Sequence, residues 1–105
     1  MKQITVRDSN DQPYILTFTV KTVMELERNG FDPNLYDTEP VSMTVKLFEG
    51  ALKAKQPNIT TDKAIELLEL VEDKEGLMTA LSELYKDPVN NLMVNGGKKK
   101  WEANF

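Results

Sequence analysis

The spacing of apolar residues along this chain changes after residue 18, and this change separates a predicted strand region from a predicted helical region. In residues 3–7 and 14–18 apolar and polar side chains alternate, which is typical of strands with one buried face. Residues 8–13, between the two runs, are a cluster of turn formers. The pattern therefore predicts a β-hairpin over residues 3–18. Because an isolated hairpin is marginal in water, we expect its apolar face to lie on the rest of the chain. The functional alternative is an edge that accepts a partner strand.

From about residue 20 onward, apolar residues recur every three or four positions, as they do in amphipathic helices. The spacing predicts helices over residues 20–29, about 40–56, 61–72 and 74–86. We expect Pro88 to break the last helix, because the residue before a proline is pushed away from helical geometry. Residues 89–94 then form a short fifth helix. The predicted fold is α+β: an N-terminal hairpin packed on a mostly α-helical body of four or five short helices.

Local signals mark the ends of these helices. Gly30 is expected to end the first helix in the left-handed conformation, with Phe31 folded back onto Leu26. One of the threonines at 60–61 is expected to cap the third helix, and Asp73 the fourth.

Apolar stripes predict which helix faces are buried. In the second helix the expected inward residues are Val41, Val45, Phe48 and Leu52, and three further residues widen the stripe: Leu47, Ala51 and Ala54. Met24 and Met78 are also assigned to the core. Gly50 costs helix stability, so we expect it to permit close approach of another helix.

Composition narrows the classes of function. A chain of 105 residues is one small domain, and it contains no cysteine and no histidine. Disulfides, thiolate nucleophiles, the usual zinc sites and the commonest general base are therefore excluded. The acidic window at residues 62–75 is interpreted as the solvated face of amphipathic helices, with weak cation binding as the alternative. We expect no enzyme activity, cofactor or metal site.

Charge and hydropathy argue against two kinds of partner. The net charge of −4 does not favour nucleic acid, whose phosphates reward a contiguous basic face. No apolar run reaches the length of a membrane span, and residues 1–6 lack the apolar core of a signal peptide. A protein without nucleic-acid or membrane partners is expected.

Residues 95–105 differ from the rest of the chain. They contain a Gly-Gly pair, three consecutive lysines and the only tryptophan, Trp101. The side chains of residues 95–105 have a net charge of +2. Because the whole chain has a net charge of −4, the preceding ninety-four residues have a net charge of −6. We predict a single domain over residues 1–94 and a flexible basic, aromatic tail over 95–105. Trp101 either anchors the chain on a partner or folds back onto its own domain.

Five segments together resemble a known family. Residues 14–18 and 21–32 are similar to its opening, and Lys-Trp-Glu-Ala-Asn at 100–104 is similar to its end. Residues 47–52 and 81–85 fall where the family has similar helical segments. The family comprises the tail assembly chaperones of long-tailed phages and prophages of Gram-positive bacteria.

This resemblance implies a small, largely helical, non-virion protein of the host cytoplasm. Such a protein binds the long, hydrophobic tape-measure protein and keeps it soluble while tail-tube subunits polymerise around it. The resemblance further implies self-association, in many members a longer frameshifted product, and no catalytic residues. The tail-tube protein is a second candidate partner. The rival interpretation is a structural component of the virion, such as a head–tail connector or a tail-completion protein.

Candidates for partner contact are residues whose side chains suit protein interfaces. Methionine adapts to irregular surfaces, and tryptophan is enriched where binding energy is concentrated. The candidates are Met43, Leu47, Leu92, Met93 and Trp101.

Overall fold

The computed structural model describes residues 2–93 and 102–104, and in that part of the chain two strands precede four α-helices. The elements are β1 (Ile4–Arg7), β2 (Pro13–Leu16), α1 (Val20–Arg28), a 3₁₀ turn (Pro33–Leu35), α2 (Pro40–Lys53), α3 (Thr61–Leu70) and α4 (Lys74–Met93). This order confirms the predicted α+β class, with the hairpin ahead of a helical body. The predicted domain end at residue 94 and the flexible tail lie largely outside the described residues and stay predictions.

β1 and β2 pair antiparallel, with Ile4 opposite Leu16 and Val6 opposite Tyr14. The turn between them uses the chemistry of short acidic side chains. The Asp8 carboxylate accepts the N–H groups of Asn10 and Gln12 at 2.9 Å each. Asp11 adopts φ +62°, the left-handed conformation that aspartate tolerates. Residues 8–13 therefore form the turn that their composition predicts.

α1 ends as the sequence indicates. Gly30 has φ +90°, and its N–H donates to the carbonyl of Glu27 at 3.1 Å. The N–H of Phe31 donates to the carbonyl of Leu26, also at 3.1 Å. These two bonds form a Schellman motif, which needs a residue without a Cβ penalty at the left-handed position.

α3 and α4 begin at the predicted caps. The Thr60 hydroxyl accepts the N–H of Lys63 at 3.1 Å, and the Asp73 carboxylate accepts the N–H of Gly76 at 3.0 Å. Both bonds satisfy a donor that the first helical turn leaves unpaired.

α4 runs through Pro88 without a break, which corrects the prediction of a separate fifth helix. Proline has no N–H to donate to the carbonyl of Leu84, so one helical bond is absent. Pro88 and Leu84 are nevertheless buried, and Tyr85 and Val89 pack against the core. The packing of residues on both sides of Pro88 therefore outweighs the tendency of a proline to interrupt a helix.

The inward face of α2 differs from the predicted stripe. Phe48 and Leu52 are fully buried, as expected, but Val41 is 76% exposed and Val45 only half-buried. Leu47 and Ala51, which widened the predicted stripe, are buried, and Met43 and Gly50 complete the buried arc. Ala54 is only half-buried. The reason is that α2 contacts α1, α3, α4 and β2, so its buried arc is set by several neighbours.

The two methionine assignments had different outcomes. Met78 packs partly buried against the core, as predicted. Met24 is 46% exposed, so its assignment to the core was wrong. α1 instead buries the side that carries Thr22, Val23 and Leu26.

The buried apolar side chains form one cluster that extends from β2 to α4. Tyr85 lies at one end of it and meets Phe18 and Phe31 edge-to-face, with both pairs of ring centroids 5.5 Å apart. Phe31 contacts Tyr36 in the same way at 6.0 Å. The aromatic contacts therefore join the end of the hairpin to α4 and to the loop after α1.

Candidate functional site: an apolar groove along helix α2

A groove of about 670 Å³ runs along the outer face of α2, between the C-terminal half of α1 and the start of α3. We call it the α2 groove. It is lined by Thr22, Glu25, Leu26, Arg28, Asn29, Val41, Ser42, Val45, Lys46, Glu49, Gly50, Lys53, Thr61 and Ile65. The site is therefore assembled by three helices.

The floor of the groove is apolar because α1 and α2 approach closely at Gly50. A Cβ atom at this position would lie 2.9 Å from Cδ1 of Leu26, which no ordinary contact permits. This confirms that Gly50 serves close helix packing. Two further lining residues, Val45 and Ile65, are half-buried, and Val41 also lines the groove but is exposed. These aliphatic side chains, from all three helices, give the groove an apolar surface.

The rim is charged and carries one more cation than anions. Arg28, Lys46 and Lys53 stand against Glu25 and Glu49. The Nζ of Lys53 lies 3.5 Å from a carboxylate oxygen of Glu49, one helical turn earlier.

Lys46 has a particular place on this rim. A Cβ atom built at Gly30 would lie 3.3 Å from its Nζ, so the ammonium stands beside the C-terminal end of α1. The backbone carbonyls at a helix C-terminus carry partial negative charge, which favours a cation there. Lys46 is thereby positioned at the edge of the groove.

The predicted contact residues do not come together in this groove. Met43 and Leu47 are 1% and 2% exposed and belong to the core, which corrects their assignment to partner contact. Neither residue lines the groove. Leu92 is 66% exposed near the end of α4, away from the groove lining. Met93 is the last residue of α4, its side chain is outside the described part, and Trp101 lies outside the described residues.

Sequence reasoning missed the groove residues Val41, Val45 and Ile65 as a surface. A signal was present in the sequence, because the apolar residues of α2 cover more than one face of the helix. Val41 and Val45 lie on one side, whereas Met43 and Leu47 lie on another. An apolar arc wider than a single contact face indicates a second apolar contact.

Titratable groups with shifted pKa values are held in their usual charge states. Burial raises the pKa of Tyr36 and Tyr85 and keeps both phenols neutral. The N–H of Gln12 lowers the pKa of the Asp8 carboxyl, and the bond to Glu66 raises the pKa of Lys63. None of these four shifts prepares a group to exchange a proton near neutral pH.

Residues 2–93 and 102–104 contain no cluster of three or more acidic side chains placed to hold a metal ion. Every buried side-chain nitrogen or oxygen described there has a hydrogen-bond partner. No helix in the same part is both long and apolar enough to cross a bilayer.

Neither a curated protein nor a solved structure matches the chain. A family model matches residues 1–105, which is the whole sequence. The chain therefore belongs to the family described as a domain of unknown function, DUF5055.

Proposed function

We propose that this protein is a phage tail assembly chaperone that binds the tape-measure protein and keeps it soluble in the host cytoplasm. The resemblance of residues 14–18, 21–32 and 100–104 to that family supports the proposal. The observation that carries it is the α2 groove, an apolar floor inside a charged rim. Such a groove accepts the apolar face of an amphipathic helix, which is the surface that an unassembled helical partner exposes.

The dimensions of the groove fit this role. Its lining residues on α2 run from Val41 to Lys53, a distance of about 18 Å at 1.5 Å per residue. About three turns of a partner helix match this length, so apolar anchors at positions i, i+4 and i+7 can lie on the floor. The charged rim then faces the polar flanks of the same helix.

A chaperone of this kind works by binding and release, without a chemical step. The charged side chains of the α2 groove lie around an apolar floor, an arrangement that suits the binding of an amphipathic surface. A head–tail connector or tail-completion protein is the second candidate, and it differs in one observable: the chain would be found in purified virions.

Co-expression with the tape-measure protein tests both the function and the site. We expect the wild-type chain to raise the soluble fraction of the tape-measure protein, and Val41→Asp to abolish that effect. Val41 is exposed and lies in the first turn of α2, where an added carboxylate is compatible with the helix dipole. Val20→Asp is the matched control, because Val20 is exposed in the first turn of α1 and does not line the groove.

The outcomes separate the function from the site. If the solubility of the tape-measure protein does not depend on the wild-type chain, the chaperone function is wrong. If Val41→Asp protects the tape-measure protein as well as the wild type does, the function stands and the groove is not the binding surface.

A further inference from the structure

The two outer edges of the hairpin differ in whether other parts of the chain hydrogen-bond to them. The edge of β2 is closed by the helical body. The side-chain oxygen of Gln56 accepts the N–H of Ile15 at 2.9 Å, and its amide donates to the Ile15 carbonyl at 2.9 Å. The N–H of Thr17 donates to the carbonyl of Ala51 at 3.0 Å. Pro13, at the start of β2, has no N–H to offer.

The edge of β1 has no such cover in the described part of the chain. Ile15 turns its backbone away from β1, so its cross-strand partner Thr5 must turn its own N–H and carbonyl away from β2. No backbone hydrogen bond joins Thr5 to any other described element. Thr5 and its neighbours on this edge, Gln3 and Arg7, are exposed. A row of backbone groups thus faces outward.

We propose that the β1 edge pairs with the β1 edge of a second copy of this chain, antiparallel and centred on Thr5. This inference does not depend on the α2 groove or on the chaperone function. The pairing joins two hairpins into one four-stranded sheet about a twofold axis, and both copies use the same surface. Thr5 then exchanges both backbone hydrogen bonds with Thr5 of the partner copy.

Charge supports this register over the one centred on Arg7. Centred on Thr5, the pairing sets Arg7 of one copy opposite the neutral Gln3 of the other. A pairing centred on Arg7 would instead place two guanidinium groups opposite each other, which is unfavourable. Arg7 is also held along its own turn, since its Nη1 donates to the carbonyl of Asp11 at 3.0 Å.

Apolar contact supports a second copy as the occupant. Ile4 and Val6 pack against the core but are only half-buried, because β1 has no strand beyond it. In the Thr5-centred register Ile4 of each copy lies opposite Val6 of the other, so both aliphatic pairs gain cover. β1 carries few of the devices that protect free edges, since it has no proline and its one charged side chain is Arg7 at its end.

A cysteine placed at Thr5 tests this register directly, because the natural chain contains no cysteine. In a directly opposed pair the Cα atoms lie within disulfide reach, at about 5.5 Å. We expect purified Thr5→Cys to form a covalent dimer on oxidation. Asn10→Cys, exposed at the tip of the same hairpin and far from the proposed axis, is the control and is expected to stay largely uncrosslinked.

Sedimentation of the full chain tests the strength of the pairing. The wild type is expected to dimerise in a concentration-dependent manner, because five paired residues a side form a small interface. Thr5→Pro removes an N–H that points away from β2, so the hairpin ladder stays intact while the outer edge loses a donor. We expect it to raise the dimer Kd at least tenfold, whereas Thr5→Val retains the N–H and remains close to the wild type.

Two results would overturn the proposal. One is a wild-type chain that stays monomeric at several hundred micromolar. The other is a Thr5→Pro dimer with an unchanged Kd, which would show that another surface is used. Should Thr5→Pro fail to fold, the cross-linking comparison decides, and equal yields for Thr5→Cys and Asn10→Cys would reject the register.

Discussion

At the scale of single residues, Gln56 replaces a neighbouring strand. Its side chain makes both hydrogen bonds to Ile15 that a paired strand would make, and its amide also donates to the carbonyl of Leu52 at 2.6 Å. A helical body thereby joins the edge of a two-stranded sheet without adding a third strand. The amide is suited to this because it carries a donor and an acceptor side by side.

Replacing Gln56 tests this role. Gln56→Ala leaves the N–H and carbonyl of Ile15 without partners in a half-buried place, so we expect the free energy of unfolding to fall by about 1–3 kcal/mol. Lys55→Ala, at an exposed neighbouring position, is the control, with an effect within about 0.5 kcal/mol. Urea denaturation measures both. Equal stabilities of the two variants would show that the bonds of Gln56 contribute nothing.

Asp8 gives the fold a defined dependence on pH. The N–H of Gln12 holds the pKa of its carboxyl below the usual value of 3.8, Asn10 and Lys63 act in the same direction, and burial opposes them. A lowered pKa means that the ionised form stabilises the fold. This contribution is fully present above the pKa of the unfolded chain and is lost as the pH falls through the lower folded pKa.

Thermal unfolding of Asp8→Asn checks this sign. The asparagine keeps an oxygen acceptor and loses the charge, so we expect its Tm to lie below that of the wild type at pH 7. The difference should shrink as the pH falls below 3.8. Asp37→Asn, at an exposed loop position, is the control and should change Tm little at either pH. A Tm difference that is constant over this range would contradict the assigned role of the Asp8 charge.

At the scale of elements, α2 and α4 show how packing overrides local signals. The apolar residues of α2 lie partly in the core and partly in the groove. Their spacing in the sequence does not show which of them belong to which surface. α4 tolerates Pro88 because core contacts continue on both sides of it. In both helices the neighbours decide the outcome.

Removing the proline tests the balance in α4. Proline inside a helix costs about 3 kcal/mol relative to alanine, so its removal stabilises α4. Alanine is smaller than proline, and the packing contacts that it loses offset part of this stabilisation. We therefore expect Pro88→Ala to raise the free energy of unfolding by about 1–2 kcal/mol. Pro57→Ala, in the exposed loop after α2, should instead lower it by less than about 1 kcal/mol, because the unfolded chain gains freedom. Destabilisation by Pro88→Ala would show that α4 needs the proline for its packing.

At the scale of the whole molecule, burial in the single core makes some apolar residues inaccessible to a partner and leaves others exposed. Met43 is inside it and Leu92 is outside, although both were candidates for partner contact. Met43→Ala is expected to lower the free energy of unfolding by about 2–5 kcal/mol, a large share of what a small domain has. Leu92→Ala is expected to change it by less than about 0.5 kcal/mol. Chemical denaturation of both variants measures the contrast, and similar values would contradict the assignment of Met43 to the core.

Much of the architecture was predictable because its signals are local. The hairpin, the cap at Asp73 and the helix end at Gly30 each depend on residues a few positions apart in sequence. The α2 groove was not predictable in this way. It needs Leu26, Val45 and Ile65, from three helices, at one surface, and their order in the chain does not state which helices meet.

Local patterns in the sequence specify the change from strand to helix and the places where elements begin and end, and short segments carry the resemblance that suggests a chaperone. These properties follow from backbone preferences and side-chain periods that act over a few residues. Packing between distant segments sets which side of α2 is core, lets α4 continue through Pro88, and brings Gln56 to one hairpin edge while the other faces outward. Those outcomes depend on competition among distant segments for the same buried surface, and burial is settled only when all of them are packed together.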